Sequence, residues 1–273
     1  MPELPEVETI VRSLKQGGIT GESILNRQIH AADLFWDRTL AFSDPGTDFL
    51  AWFSGKSVDG VSRRGKYIVI SIPPKSLIIH LRMSGDIRVE TDDAGTLQKH
   101  DRFLLRFADG LRMVFNDTRK FGRIWLTATP ETLFAALGIE PLSEAFNAEW
   151  LRTNLGARKT AIKALLLNQS FIAGLGNIYT DEILFQAGIL PTRKAFTLRS
   201  DEIERLPEII KSVLQTGIKN NGASIDWVYR GGNFQNHFQV YQRAGAPCYR
   251  CGTPIVKDVV GQRGTHYCPY CQH

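Results

Sequence analysis

All four cysteines of this 273-residue chain fall in its last 26 positions, as two C-x2-C pairs: Cys248 and Cys251, then Cys268 and Cys271 after a gap of 16 residues. Each short pair can turn two thiolates toward one ion, and two pairs complete a tetrahedral four-sulfur site. The alternative is a pair of disulfides, but a cysteine cluster in a reducing compartment favours metal. The expectation is one structural Zn2+, because four protein ligands leave no open position for chemistry. Between the pairs, IVKDVVGQRGTHY reads as two strand-forming runs around Gly261-Gln262-Arg263-Gly264, a hairpin with Arg263 at its tip. An arginine held there suits a phosphate contact, although a solvated turn arginine has the same sequence. Zinc ribbons occur in many unrelated proteins, so the motif fixes the metal and leaves the function open.

The rest of the chain is long enough for two or three units. The composition, 43% hydrophobic and 22% charged, is that of an ordinary globular protein. The formal net charge of +5 suits a polyanionic partner without proving one. No run of about 18 apolar residues occurs, so no membrane span is expected. The start, MPELPEVETIVRSLK, lacks the basic end and apolar core of a secretory signal, and a cytoplasmic protein is expected.

Val7, Ile10, Val11 and Leu14 share one helical face, with Pro5, Glu6 and Glu8 suited to the helix start. From about residue 22 to 128 the pattern turns strand-like: 66–72, 76–83, 101–107, 111–116 and 123–128 are β-branched or aromatic runs. Ala108-Asp109-Gly110 reads as a hairpin turn, and the short, regularly spaced strands suggest a β-sandwich or barrel. Helical spacing follows in PETLFAAL, AEWLRTNL, TAIKALLLNQ and TDEILFQAG, then in a longer segment that starts at Ser200. Residues 220–237 read as a long loop. The fold class is therefore α+β multidomain. Its expected parts are an N-terminal unit over 1–130, a helical unit with the loop over 131–237, and a zinc unit over 238–273.

Two segments outside the cysteines carry candidate chemistry. In FIAGLGNI, Gly174 and Gly176 permit a sharp turn, and Asn177 is placed to cap the helix Ile178–Ala187. Free N–H groups at such a helix start attract phosphate, while a plain glycine-rich interhelical turn fits the same residues. At the N-terminus, Pro2 follows Met1, a context in which the methionine is usually trimmed. The exposed secondary amine would have a pKa near the 7.7–8.0 of terminal amines and could attack carbon to form an iminium. Glu3 and Glu6 stand beside it to handle protons. An ordinary acidic first helical turn would read the same way.

MPELPEVET, SRRGKY (62–67), HLRMSG (80–85), NDTRKFG (116–122), AGLGNIY (173–179) and GQRGTHYCPYCQ (261–272) resemble, in order, the motifs of the formamidopyrimidine-DNA glycosylases, bacterial 8-oxoguanine DNA glycosylases with AP lyase activity. The resemblance covers the whole chain. It implies an N-terminal β-sandwich catalytic domain with flanking helices, a helix–two-turn–helix domain and a C-terminal β-hairpin zinc finger. It also implies excision of oxidised purines (8-oxoguanine, formamidopyrimidines) from damaged duplex DNA through a Pro2 Schiff base. β,δ-Elimination follows, in base excision repair. By resemblance Pro2 is the nucleophile, Glu3 the proton donor and acceptor, and Glu6 its support. Lys66 is the catalytic lysine, and Asn177 and Arg263 contact backbone phosphates. Met83, Arg119 and Phe121 match the family's intercalating residues, which would fill the gap left by a flipped nucleotide; without that match they read as a core methionine, a turn arginine and a core phenylalanine. His100 is added to the DNA-contacting set. A monomer is expected, associated with the nucleoid during repair. In the sister glycosylases for oxidised pyrimidines the start resembles MPEGPE, and Leu4 argues against that class. A non-catalytic DNA-binding zinc protein is disfavoured by the presence of Pro2, Glu3, Glu6 and Lys66 together. An RNA-binding translation factor leaves the N-terminal motif unexplained. The loop at about 222–237, with Trp227, Tyr229 and Arg230, lies where the family closes over the flipped lesion, and no family role is carried over onto its residues one by one.

Overall fold

In a computed structural model, which describes residues 1–93, 95, 97–156, 158–224 and 231–273, the chain divides into two units. One comprises Met1–Ala135 and Asn221–Gly232; the other comprises Ala136–Asn220 and Asn233–His273. The first opens with α1 (Leu4–Gln16), which buries Leu4, Val7, Ile10, Val11 and Leu14 along the face that their spacing anticipates.

Among the described residues nine strands follow: β1 (Ile29–Leu34), β2 (Leu40–Ser43), β3 (Gly60–Arg64), β4 (Tyr67–Ile72), β5 (Lys75–His80), β6 (Gly85–Thr91), β7 (Asp101–Phe107), β8 (Leu111–Asp117) and β9 (Arg123–Thr127). They make two sheets, in the orders β1-β7-β8-β6 and β2-β9-β5-β4-β3. All pairings are antiparallel except β2 with β9. Side chains alternate across each strand, so β4 turns Ile68, Ile70 and Ile72 inward. They meet Phe103, Leu105, Met113 and Phe115 of the other sheet in one core, which the apolar face of α1 joins. This is the expected sandwich. Phe49, Phe53 and Phe103 cluster inside it, Phe49 edge-on to Phe53 and both tilted against Phe103, with ring centroids 5.4–5.9 Å apart.

Two departures from the sequence pattern bear on the site. The run 76–83 is a strand only to His80; Arg82 then takes φ 54°, and Leu81–Gly85 closes a tight turn through the Gly85 N–H to the Leu81 carbonyl. β6, whose GDIRVET alternates, is a strand that the sequence reading passed over. The Ala108–Gly110 turn is as expected, with Gly110 at φ 87°.

The second unit holds α3 (Ala148–Leu155), α4 (Ile162–Leu166), α5 (Asn177–Ala187) and α6 (Ser200–Lys219), followed by the hairpin β10 (Val256–Val260) and β11 (Arg263–Tyr267); α2 (Pro130–Phe134) precedes it in the first unit. α5 is buried on nearly every side and contacts α4, α6 and β11. Two helices are shorter than expected. PETLFAAL is helical only over Pro130–Phe134, and TAIKALLLNQ only over Ile162–Leu166. Beyond α4 the Gln169 side chain substitutes for helical bonding: it donates to the Leu167 and Leu175 carbonyls and accepts from the Gly174 N–H. α6 does begin at Ser200, but the residue before it, Arg199, donates its N–H to Glu202 Oε2. Of the expected loop 220–237, residues 225–230, including Trp227, Tyr229 and Arg230, lie outside the described residues; 234–237 form a single turn of 3-10 helix.

Phe53, fully buried in the aromatic cluster, reports on the sandwich. Phe53→Ala is expected to lower stability by about 3–5 kcal/mol, read as a shift of the urea midpoint. A loss below about 1 kcal/mol would contradict this packing.

Candidate active site and metal centre

The chain's first residues are fixed rather than frayed. Pro2, Glu3 and Glu6 are buried, the two glutamates at 3% and 2% exposure. The Glu3 N–H donates to Glu6 Oε2 at 2.8 Å. Glu6 Oε1 accepts from the Ala223 N–H, also at 2.8 Å. One carboxylate thus joins the start of α1 to a segment more than 200 residues later. Gly222 must be glycine there: its φ is 76°, and a Cβ would lie 2.5 Å from Glu6 Oε1. Farther along α1, Glu8 pairs with Arg12 and Arg63. Burial pushes its carboxyl up, but the hydrogen bonds from Arg12 and Arg63 outweigh this and leave it below the usual range.

Lys66 sits at the β3–β4 turn beside Gly65 and is 5% exposed. Its charge reaches His80, at the end of β5. His80 is buried, and desolvation, reinforced by Arg82 and Lys66, pushes its pKa down to about 3. The ring lies edge-on to Tyr67, and its Nδ1 accepts the Arg82 N–H at 3.0 Å. A neutral ring that accepts at Nδ1 carries its proton on Nε2.

β6 and β8 pair Gly85 opposite Asp117, so the turn before β6 and the loop after β8 share one sheet end. The turn presents Met83, 38% exposed. The loop presents Arg119, and Phe121 at 48% exposure, with the guanidinium 5.0 Å from the ring centre. The expected intercalating trio is thus together. His100 lies at the start of β7; its ring faces Arg102, and its carbonyl accepts the Asp117 N–H. The structure therefore puts His100 beside the loop and ties it inward.

In the second unit the four cysteine sulfurs all lie within 4.8 Å of one another, with Cys251 to Cys268 at 3.5 Å and Cys248 to Cys271 at 4.0 Å. These are too long for disulfides. They suit zinc, whose bonds of about 2.3 Å in a tetrahedron separate sulfurs by about 3.8 Å. The Arg250 and Cys271 N–H groups point at the sulfurs of Cys248 and Cys268, as a thiolate requires. Burial and the neighbouring thiols push Cys271 up to about 12, whereas hydrogen bonds from Thr253 pull Cys251 down to about 6; a bound cation is what would hold all four as thiolates.

The hairpin corrects one expectation. Its tip is Gly261-Gln262, at φ 56° and 63°, the left-handed pair that a two-residue turn demands. Arg263 is the first residue of β11, exposed beside the tip rather than at it. Asn177 is a second correction: Gly176 occupies the cap position, and Asn177 is the first helical residue with no capping bond. Its Nδ2 instead donates to the Gly264 carbonyl, next to Arg263, at 2.9 Å. The two expected phosphate residues are thereby neighbours.

Sequence reasoning passed over the buried groups behind them. Lys163, fully buried, bonds Asp181 Oδ1 at 2.6 Å, Thr265 Oγ1 at 2.8 Å and the Gly264 carbonyl at 3.0 Å. Asp181 Oδ2 takes the His266 N–H, and Glu182 takes those of Gln239, Val240 and Tyr241. A lysine on the apolar face of TAIKALL was the available signal. For His80, Ser84 and Asp117 it was their place inside HLRMSG and NDTRKFG.

The depressed pKa of His80 gives a stability signature. The unfolded ring takes up a proton near pH 6.5 and the folded ring does not until about 3, so stability falls on acidification. Between pH 7 and 5, before carboxylates titrate, this amounts to about 2 kcal/mol. His80→Gln should flatten that slope in urea titrations. An unaltered slope would contradict a neutral His80.

Three family models match the chain: "Formamidopyrimidine-DNA glycosylase N-terminal domain" over residues 1–124, "Formamidopyrimidine-DNA glycosylase H2TH domain" over 137–228, and "Zinc finger found in FPG and IleRS" over 245–273. The last match and the sulfur geometry together assign one structural zinc to the cysteines. Two relatives named formamidopyrimidine-DNA glycosylase match over the full length of both chains. That of Roseiflexus sp. (strain RS-1) is 43% identical over 281 residues, and that of Geobacillus kaustophilus (strain HTA426) is 41% identical over 280. Among solved structures, a Lactococcus lactis Fpg complex with abasic-site DNA is 38% identical, with TM-score 0.89 over 99% of each chain. A MutM complex with DNA containing carbocyclic 8-oxo-G is 38% identical, with TM-score 0.90 over 100% of each chain. With a sandwich, a buried Pro2–Glu3–Glu6 start, a helical unit and a four-cysteine hairpin in the family's own order, this chain belongs to the formamidopyrimidine-DNA glycosylases.

Proposed function

We propose that the protein excises oxidised purines from duplex DNA and then cuts the strand, with Pro2 as the nucleophile. The single observation that carries the chemistry is the buried N-terminal arrangement, in which Glu6 fixes the Glu3 N–H and the Ala223 N–H at once. In the chain as written, Met1 acylates the Pro2 nitrogen, so its removal is what frees the amine. The amine then attacks the sugar C1′, the bond to the damaged base breaks, and the base leaves with a proton. Glu3 protonates the sugar ring oxygen as the ring opens to the iminium. The iminium acidifies the C2′ proton, whose loss expels the 3′ phosphate; δ-elimination expels the 5′ phosphate, and water releases the enzyme. Pyrrolidine nitrogen is suited to this because it forms an iminium without passing through a neutral imine.

Lys66 is the cation at the reacting nucleotide. Met83, Arg119 and Phe121 fill the space that nucleotide leaves, and His100 is placed with them. Asn177 and Arg263 hold backbone phosphates, supported by the Asn177 hydrogen bond to the Gly264 carbonyl, next to Arg263. Zinc, when bound, cross-links the hairpin that carries Arg263 and enters no step. We assign catalysis to 1–130, DNA gripping and lesion closure to 131–237, and the finger to 238–273. The protein acts as a monomer in the bacterial cytoplasm, at the nucleoid during repair. The bacterial relatives support this location; among the described residues, no helix is long and apolar enough to cross a membrane.

Borohydride reduction during reaction with an 8-oxoguanine:cytosine duplex should trap a covalent adduct, with mass spectrometry placing it on Pro2 after Met1 loss. Pro2→Gly should nick at least about a hundred-fold more slowly. An adduct on any other residue would sink the nucleophile assignment. Arg263→Ala should weaken binding and reduce the slope of log affinity against log salt by about 0.9, one phosphate contact. An unchanged slope would remove Arg263 from the phosphate set.

A further inference from the structure

Asp117 is 1% exposed, sits at the end of β8, and uses both carboxylate oxygens on the chain around it. Oδ2 accepts the Gly122 N–H at 2.6 Å, closing the loop that carries Arg119 and Phe121. Oδ1 accepts the Arg119 N–H at 3.2 Å and the Ser84 hydroxyl, and the Ser84 oxygen in turn accepts the Arg119 N–H at 3.0 Å. Ser84 directly follows Met83. Arg102 Nε holds the Asp117 carbonyl at 2.8 Å, and the Lys120 ammonium lies 3.9 Å over the Trp36 ring. The surroundings admit little slack: a Cβ on Gly122 would lie 2.3 Å from Phe115 Cζ, and one on Gly85 2.5 Å from the Leu81 carbonyl. Two loops of unrelated sequence therefore meet at one carboxylate–hydroxyl pair, and the exposed apolar side chains project from either side of it.

We propose that Asp117, acting with Ser84, is a positioning residue that locks the Met83 turn and the Arg119–Phe121 loop into one insertion unit. The proposal rests on reading these three side chains as the wedge that replaces an extruded nucleotide. Inserting a wedge must offset an unstacking cost of a few kcal/mol, and a wedge that must first be ordered has less to offset it with. A carboxylate is required because both its oxygens accept. An amide at 117 would turn an NH2 toward either Gly122 N–H or the Ser84–Arg119 pair, leaving a donor unpaired in a buried place.

The test uses the full-length, zinc-loaded, Met1-processed protein with two substrates. One is an 8-oxoguanine:cytosine duplex bearing 2-aminopurine beside the lesion, whose fluorescence reports unstacking. The other is a single strand with an abasic site, which has no stack to open. Ser84→Ala, Asp117→Asn and Phe121→Ala are compared in single turnover. Ser84→Ala and Asp117→Asn should lower the duplex-to-single-strand rate ratio by about ten-fold or more and diminish the fluorescence rise, as loss of a buried charge-assisted bond implies. General loss of folded protein would lower both rates and leave the ratio alone. If the ratio and the fluorescence stay within about two-fold of the parent while Phe121→Ala depresses both, the positioning role is overturned and the wedge stands. If Phe121→Ala itself behaves as the parent, the wedge reading fails and this proposal with it. Should Asp117→Asn not fold, Ser84→Ala decides alone, because it leaves the Asp117–Gly122 bond and the β6–β8 register in place.

Discussion

A buried carboxylate that accepts main-chain N–H groups from an irregular segment is the joint on which the functional parts of this protein hang. Glu6 does this for the N-terminus and residue 223, and Asp117 for the loop after β8. In the other unit Glu182 does it for residues 239–241, and Asp181 accepts the His266 N–H of the hairpin strand β11. Loops and chain ends have few apolar contacts to fix them, and their N–H groups still need partners when covered. A charged acceptor meets both needs, because charge-assisted bonds are about twice as strong as neutral ones. The arrangement also explains the order of the site. Several candidate groups sit close to such a joint: Pro2 near Glu6, Arg119 near Asp117, Met83 beside its partner Ser84, and Asn177 one helical turn before Asp181.

The cost of burying these charges decides how they are partnered. Burial raises the pKa of Glu182 even though three backbone donors pull the other way. Asp181 takes a different route. Its partner Lys163 is itself fully buried, and the lysine spends its other bonds on Gly264 and Thr265. Such a pair adds little net stability, since desolvation offsets most of the attraction, but it is unforgiving of displacement because either charge alone would be stranded. The hairpin thus has two independent fasteners, zinc at its open end and the Lys163–Asp181 pair beside Arg263. The first is expected to set whether the hairpin folds, and the second where its tip lies.

Much of this was legible in the sequence, and the divisions are physical. Periodic features carried over: the face of α1, the alternation of β4, and the metal spacing of the cysteines, each a local rule acting on local residues. What failed was placement within a turn. Asn177 looked like a cap because asparagine prefers that position, but a long-range bond to Gly264 took its side chain and left Gly176 to make the turn. Arg263 looked like a tip residue because glycines stand on both sides of it, at 261 and 264, yet only two residues, Gly261 and Gln262, fit the turn once both take positive φ. α4 ended early because the Gln169 side chain replaced the helical partners of its neighbours. The joints themselves were invisible for a related reason. An aspartate or glutamate in a motif looks like surface charge until its distant donor is known, and the partners of Glu6 and Asp181 are 217 and 85 residues away.

If Pro2 is the nucleophile, as proposed, its place at a chain terminus raises a problem that this fold answers. Terminal residues normally fray, and a reactive amine on a frayed end would lose the orientation that makes an intramolecular-like attack fast. Here the fixed point lies only one residue beyond Pro2, because the Glu3 N–H is already bonded to a buried side chain of the first helical turn. That leaves little backbone freedom between the anchor and the reacting nitrogen, and the proline ring removes most of what is left by fixing φ. The same Glu6 that anchors Glu3 is held by Ala223, beyond a glycine that no other residue could replace without striking it. The precision of the first residues therefore depends on a segment near the far end of the chain. Under the proposed mechanism, the segment around residue 223 has to be in place before Pro2 can work.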